Sequence, residues 1–142
     1  MTIQDLKNLP LISSTNSSVS VGVVSVIIKD NQVLMVKSKD SDIWKFPGGH
    51  LHHDESIDEG IIRETLEETG YVVQIIGQPF VYQYDLTQVL NLFLIFCRTE
   101  IIGNGSPEQS DEITETKWFE TDKMPENIFE NVKPVLKYIQ NI

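Results

Sequence analysis

Arg63-Glu64-Thr65-Leu66-Glu67-Glu68-Thr69-Gly70, preceded by Ser56-Ile57-Asp58-Glu59 and further upstream by Phe46-Pro47-Gly48-Gly49, is the stretch on which the reading of this chain turns. Ser56 followed three residues later by Glu59 has the form of a capping box, in which the serine hydroxyl accepts from the Glu59 amide and the Glu59 carboxylate reaches back. Ile57, Ile61, Thr65 and Leu66 follow an approximate helical stripe with Ile62 beside it, and Gly70 is placed to end the helix in a left-handed cap. A helix over Ile57 to Thr69 is therefore predicted. At about 100° per residue, Glu67 lies roughly 60° behind Glu64 and Glu68 roughly 40° ahead, so three carboxylates share one arc. Their repulsion costs stability unless solvent, an arginine or a cation offsets it. A divalent cation is a natural solution, because hard cations such as Mg²⁺ choose oxygen ligands and often share them with substrate phosphates. Taken alone, the triplet reads as the solvated face of an amphipathic helix in an acidic protein. Its neighbours weigh against that: Gly48 and Gly49 let a backbone approach a phosphate or present a carbonyl to a metal, and Glu55 adds a fourth carboxylate.

The chain has 142 residues, the size of one domain with a single core. Eleven Lys and Arg against 21 Asp and Glu give a formal net charge of −10. That field repels phosphate backbones, which argues against a non-specific nucleic-acid binder and against a polybasic membrane-surface protein. Hydrophobic residues make up 40% and charged residues 23%, too apolar a balance for wholesale disorder. The one cysteine, Cys97, lies in the apolar run Leu92 to Cys97 and is expected to be a buried, inert thiol. Val21 to Ile28 and Leu92 to Cys97 fall short of the ~20 residues of a membrane helix. The first residues lack the pattern of a secretory signal, so a cytoplasmic location is expected.

Residues 1 to 18 read as an arm or linker, and 19 to 142 as the domain. Val19 to Lys29 and Val33 to Lys37, joined by Asp30-Asn31-Gln32, predict a hairpin-like strand pair. Ser38 to His53, with two glycines and a proline, is expected to be mostly loop. Tyr71 to Ile76, Phe80 to Asp85 and Val89 to Ile101 predict three strands, the last central because it is almost continuously apolar. Thr116 to Glu120 predicts a short strand. Pro125 is read as opening a carboxy-terminal helical segment, which Pro134 must kink or restart. The irregular alternation favours an α/β domain with a mixed sheet over a doubly wound parallel one.

Gly49, five residues, Glu55, seven residues, then Arg63-Glu64-Thr65-Leu66-Glu67-Glu68-Thr69-Gly70-Tyr71 resembles the Nudix box of the Nudix hydrolases. Every fixed glycine, glutamate and arginine of that pattern stands at its spacing. Thr65 and Tyr71 depart from it, where the family usually has an aliphatic residue. The likeness extends to Trp44, Phe46 and Pro47 before the box and to Trp118-Phe119 and Pro125 after it. The resemblance implies a Nudix-like α/β/α sandwich with a mixed sheet and Mg²⁺ dependence, with Mn²⁺ a substitute. It implies a pyrophosphohydrolase that cleaves a nucleoside triphosphate or a nucleoside diphosphate linked to another group. The rival is a Nudix-like module that binds a nucleotide without cleaving it.

Carried over by position, Glu67 and Glu68 lead as metal ligands, with Glu64 as ligand or general base, the Gly48 carbonyl as a ligand, and Glu55 among the groups around the metal. Arg63 would hold a carboxylate in place, Glu55 first. Glu112 matches a loop acid by its spacing to Pro125, with Glu115 its competitor, so Glu64, Glu112 and Arg63 are the residues expected to carry catalysis. A glutamate near its ordinary pKa of ~4.3 is a weak base, but metal-bound water is easier to deprotonate. His50, His52 and His53 have no cysteine nearby, so zinc is not expected. Trp44, Tyr82, Tyr84, Phe93 and Trp118 are candidates to stack on a base. The expected partner is a small nucleotide, and a homodimer is left open.

Overall fold

Strict alternation through Val23-Val24-Ser25-Val26-Ile27-Ile28 gives strand β1 (Val19–Lys29) two apolar faces, and the domain is built on both of them. The computed structural model describes residues 19–83, 91–105 and 113–141. After β1 come β2 (Gln32–Ser38), β3 (Trp44–Lys45), β4 (Gly48–His50) and helix α1 (Ile57–Thr69). Strands β5 (Tyr71–Gln83), β6 (Asn91–Asn104) and β7 (Ile113–Glu120) precede helix α2 (Val132–Gln140). The sheet runs β3-β2-β1-β6-β5, with β4 also on β1 and β7 on β2. It is mixed: β1 and β6 are parallel and the other pairs antiparallel.

Val24, Val26 and Ile28 of β1 join Leu94 and Phe96 of β6 in a core with Val132, Val135, Leu136 and Ile139 of α2. On the opposite face Val23 and Cys97 pack on Ile61, and Ile27 packs with Leu34, Val73 and Ile62, so α1 covers that side. The result is an α/β/α sandwich. Ser25 and Thr99, both buried on the α1 face, satisfy each other through a 2.8 Å hydroxyl hydrogen bond. Cys97 is fully buried, and burial pushes its thiol up to about 11, so it stays protonated and inert at neutral pH. Among the described residues no helix is long and apolar enough to cross a membrane.

Two expectations need correction and one needs refinement. Ser38 to His53 is mostly loop as expected, but it carries two short strands, Trp44–Lys45 on β2 and Gly48–His50 on Val24, Val23 and Gly22 of β1. These are contacts with residues distant in sequence, invisible to local composition. Tyr71 to Gln83 is one strand, whose register on β6 shifts between Ile76 and Phe80, with Gly77 at φ 75 absorbing the irregularity. The last helix begins at Val132 rather than near Pro125, and Pro134 sits in its first turn, where an amide has no carbonyl to bond and a missing donor breaks nothing. The 1–18 arm, and Asp85 and Val89 at the predicted strand ends, lie outside the described residues.

Phe96 is the hinge of the α2 core: it is fully buried, stacked on Phe80 at 5.5 Å and edge-on to Phe46 at 6.2 Å. Phe96→Ala is expected to lower the free energy of unfolding by about 3–5 kcal/mol, read from the urea midpoint.

Candidate active site

The capping box forms as written: the Ser56 hydroxyl accepts from the Glu59 amide at 3.1 Å, and Glu59 Oε1 accepts from the Ser56 amide at 3.2 Å. Gly70 closes α1 at φ 79, its amide donating to the Leu66 carbonyl. The two departures from the Nudix box are both accommodated. Thr65 is fully buried and donates its hydroxyl to the Ile61 carbonyl at 2.7 Å, while Tyr71 packs against the Ile27, Leu34 and Val73 cluster.

Arg63 gathers the carboxylates. Its Nε and Nη2 bond Glu55 Oε2 and Oε1 at 2.9 and 2.6 Å, and Nη1 reaches Glu64 Oε1 at 2.9 Å and Glu67 Oε2 at 3.2 Å. The remaining Nη2 donor meets the His50 carbonyl at 3.0 Å, so all five N–H groups of the guanidinium are used. The offset to carboxylate repulsion is thus an arginine of the same helix. Arg63 holds the Glu55 carboxyl down at about 2 against the opposing effect of its burial, and the His52 amide adds a 2.8 Å hydrogen bond in the same direction. In return Glu55 raises the Arg63 pKa further, leaving the guanidinium charged at any working pH.

Glu68 differs from its two companions. It is buried, 8% exposed, rather than an exposed group, and its Oε1 accepts from the Gly48 amide at 2.7 Å. Gly48 and Gly49 are required by close approach. A Cβ on Gly49 would stand 2.4 Å from Glu64 Oε1, and one on Gly48 would stand 2.3 Å from the Val23 carbonyl oxygen. Glu64 therefore lies directly on the bare face of β4. Four carboxylates and one guanidinium leave negative charge in excess here, although no group of three His, Cys, Asp or Glu side chains among the described residues is already closed up as a metal cage. His50, His52 and His53 are exposed. Glu115 is exposed and lies 4.0 Å from Lys37 Nζ, and Glu112 lies outside the described residues.

Beside β4 opens a pocket of about 210 Å³, lined by Gly48 to His50 and by Lys45, Phe46, Leu94, Phe129 and Asn131. Strand β4 is common to both features, with Glu64 against Gly49 and the pocket along Gly48 to His50. Of the aromatics singled out in the sequence, Trp44 is buried edge-on to Phe119 and Trp118 is packed on the α1 face. Phe93 is exposed, and the Tyr82 side chain and Tyr84 lie outside what is described. Phe46 was read only as part of the family likeness, and Phe129 and Asn131 were passed over. The signal for Asn131 was its residue type, an N-cap asparagine before an apolar helical run, masked by starting the helix at Pro125.

The Arg63–Glu55 pair carries a pH signature. A carboxyl lowered in the folded state contributes stability in full above its ordinary pKa near 4.5, and loses it as pH falls through its folded value near 2. In metal-free protein, Glu55→Gln is therefore expected to destabilise at pH 7 and to flatten the fall in thermal midpoint between pH 5 and 2, as calorimetry across that range would read.

Residues 17–139 match the NUDIX domain. A Bacillus subtilis protein named as a putative 8-oxo-dGTP diphosphatase is 32% identical over 119 residues, covering 83% of this chain and 77% of its own length. A Methanocaldococcus jannaschii protein named as an ADP-ribose pyrophosphatase is 27% identical over 125 residues, covering 85% and 73%. Among solved structures, a NUDIX hydrolase from Nitrosomonas europaea superposes with a TM-score of 0.70 at 20% identity, over 87% of this chain and 90% of the other, a likeness of fold. A domain match across nearly the whole chain, over a sandwich that carries the box on the loop and helix just described, shows that the chain belongs to the Nudix family of hydrolases.

Proposed function

We propose that this Nudix hydrolase is a Mg²⁺-dependent pyrophosphohydrolase, with Mn²⁺ able to substitute, acting on a nucleoside triphosphate or a nucleoside diphosphate linked to another group. The observation that carries the reading is the gathering of Glu55, Glu64 and Glu67 on Arg63, with Glu68 on Gly48, beside a pocket that shares the wall of β4. The names of the relatives support a nucleotide diphosphate linkage, one a deoxynucleoside triphosphate and one ADP-ribose.

The donor set is all oxygen and negative in excess, which suits a hard divalent cation. Glu64, Glu67, Glu68 and the Gly48 carbonyl would hold it, while Glu55, both of whose oxygens are engaged by Arg63, serves first as the anchor of that arginine. When bound, the cation neutralises phosphate oxygens and makes water easier to deprotonate. Arg63 keeps Glu64 and Glu67 turned to one side of the helix, and the glycine at 49 lets Glu64 sit against β4. Glu64, or Glu112 from outside the described residues, takes the proton of the attacking water as the phosphoanhydride bond breaks.

Turnover of dNTPs, ADP-ribose, nucleotide sugars and dinucleoside polyphosphates, with Mg²⁺ or Mn²⁺, tests the reading; EDTA is expected to abolish it and added metal to restore it. Tight binding of one compound with no turnover of any would identify a nucleotide sensor instead. Glu67→Gln is expected to lower kcat severely without unfolding. Glu68→Gln should lower both kcat and the thermal midpoint, because Glu68 is buried on the Gly48 amide. The base is identified by comparing Glu64→Gln with Glu112→Gln: the one that lowers kcat by roughly 10²-fold or more at saturating metal, with substrate affinity kept, removes it.

A further inference from the structure

At the end of α2 remote from β4 lies a second pocket, of about 370 Å³, opened by an irregularity in the edge strand of the sheet. Ile76 pairs with Arg98 and Phe80 with Phe96, so four steps along β5 face two along β6, and two residues are in excess. The excess is taken up at Gly77, Gln78 and Pro79, with Gly77 at φ 75, and this bulge forms one wall of the pocket. Phe80, Arg98 and the Tyr138-Ile139 end of α2 complete it. No lining residue is shared with the pocket beside β4. Tyr138 stands seven residues beyond Asn131 on α2, about 10 Å along the helix axis.

Arg98 is the group in this pocket that the fold does not use. Arg63, the other arginine of the chain, spends all five N–H groups on the carboxylates and the His50 carbonyl, whereas Arg98 is exposed and makes no hydrogen bond or ion pair among the described residues. Glu100, two residues on along the same face of β6, takes its hydrogen bond from Gln74 instead. In a chain of net charge −10, a guanidinium with no partner, set among apolar and aromatic walls, selects a ligand that joins an anionic group to an apolar body. The volume falls at the small end of the range that holds small molecules, and the rings of Phe80 and Tyr138, 4.7 Å apart and tilted by 45°, offer surfaces for a flat ring. From Tyr138 and Phe80 a row of rings crosses the core. Phe80 stacks on Phe96 at 5.5 Å, and Phe96 stands edge-on at 6.2 Å to Phe46, which lines the pocket beside β4. Phe96 is fully buried, and in a close-packed interior a ring displaced at one end of such a row moves the next.

We propose that this second pocket is an effector site for a small anion with a flat ring. Its phosphate or carboxylate is held by the Arg98 guanidinium, its ring lies against Tyr138 and Phe80, and its binding acts on the pocket beside β4 through Phe96 and Phe46. The proposal stands apart from the hydrolytic reading, and its test needs no turnover. Amide correlation spectra of the isotope-labelled full chain, without added metal, are recorded during titration with phenyl phosphate, with benzoate, and with inorganic phosphate as the anion that lacks a ring. Phenyl phosphate and benzoate share one ring, so the tighter of the two identifies the anionic group the pocket takes. Saturable shifts are expected at Gly77, Gln78, Arg98 and Tyr138, with inorganic phosphate binding more weakly than phenyl phosphate. Arg98→Gln should raise the dissociation constant by about tenfold or more, and Arg98→Lys, which keeps the charge and loses the planar fork, should fall between it and wild type. Tyr138→Ala should weaken both aromatic probes and leave inorganic phosphate unaffected. The Arg98 variants should keep the wild-type thermal midpoint within a few degrees, because an exposed side chain without a partner is removed. In wild type the Phe46 and Leu94 amides should shift along with Gly77, and in Arg98→Gln both sets should fade together. Absence of saturable shifts at the bulge with either aromatic probe up to millimolar concentration overturns the proposal, as does a dissociation constant unchanged in Arg98→Gln. Occupancy that leaves Phe46 and Leu94 unmoved overturns it too. So do shifts of the bulge amides on concentrating the protein alone, which assign this face to a second copy of the chain.

Discussion

Four carboxylates cannot be assembled around one strand end without a cation among them, and Arg63 is the cation this chain supplies. A lysine could not replace it. The planar guanidinium sends two parallel bonds to Glu55, one edge to Glu64 and Glu67, and its last donor to the His50 carbonyl, five directions fixed by one rigid group. The loop before α1 and the face of α1 are thereby locked together. The lowered Glu55 carboxyl is the electrostatic trace of that lock, since a group so held stays ionised far into acid.

The second constraint is steric and acts at β4. Its pairing with Val23 and Val24 brings Gly48 too close to the Val23 carbonyl for any side chain, and Glu64 presses on Gly49 in the same way. Neither glycine is needed for a left-handed turn; among the described glycines positive φ occurs at Gly70 and Gly77. Three residues of backbone thus serve two features, the carboxylates packed against them and the pocket they line. Glu68, buried on the Gly48 amide, ties the helix to the same strand from below. Carboxylates and pocket therefore share one short element.

Burial divides the acidic residues by role. Glu67 keeps a third of its side chain in solvent, whereas Glu55 and Glu64 are largely covered and Glu68 is buried outright. A helical wheel places Glu64, Glu67 and Glu68 on one arc and treats them as equals. Their different environments come from what lies opposite: the bare glycine face for Glu64, the Gly48 amide for Glu68, and open solvent beside Glu67.

Helix α1 was legible to the residue, Ile57 to Thr69, because its start and stop are made of contacts three or four residues apart: Ser56 with Glu59, and Gly70 with Leu66. The strand β1, the Asp30-Asn31 turn and the buried Cys97 were legible for the same reason, each being a property of neighbours along the chain. Partners distant in sequence were not. Gly48–His50 becomes a strand because Gly22 to Val24 lies beside it, and 127–129 stays outside the last helix, which begins at Val132, because Trp44 bonds and bridges to it. Sequence alone thus determined the box, its charges and the helix that carries them. Tertiary structure decided which carboxylate is buried and what neutralises the rest, because those depend on segments that meet only when the sheet closes between its two helices.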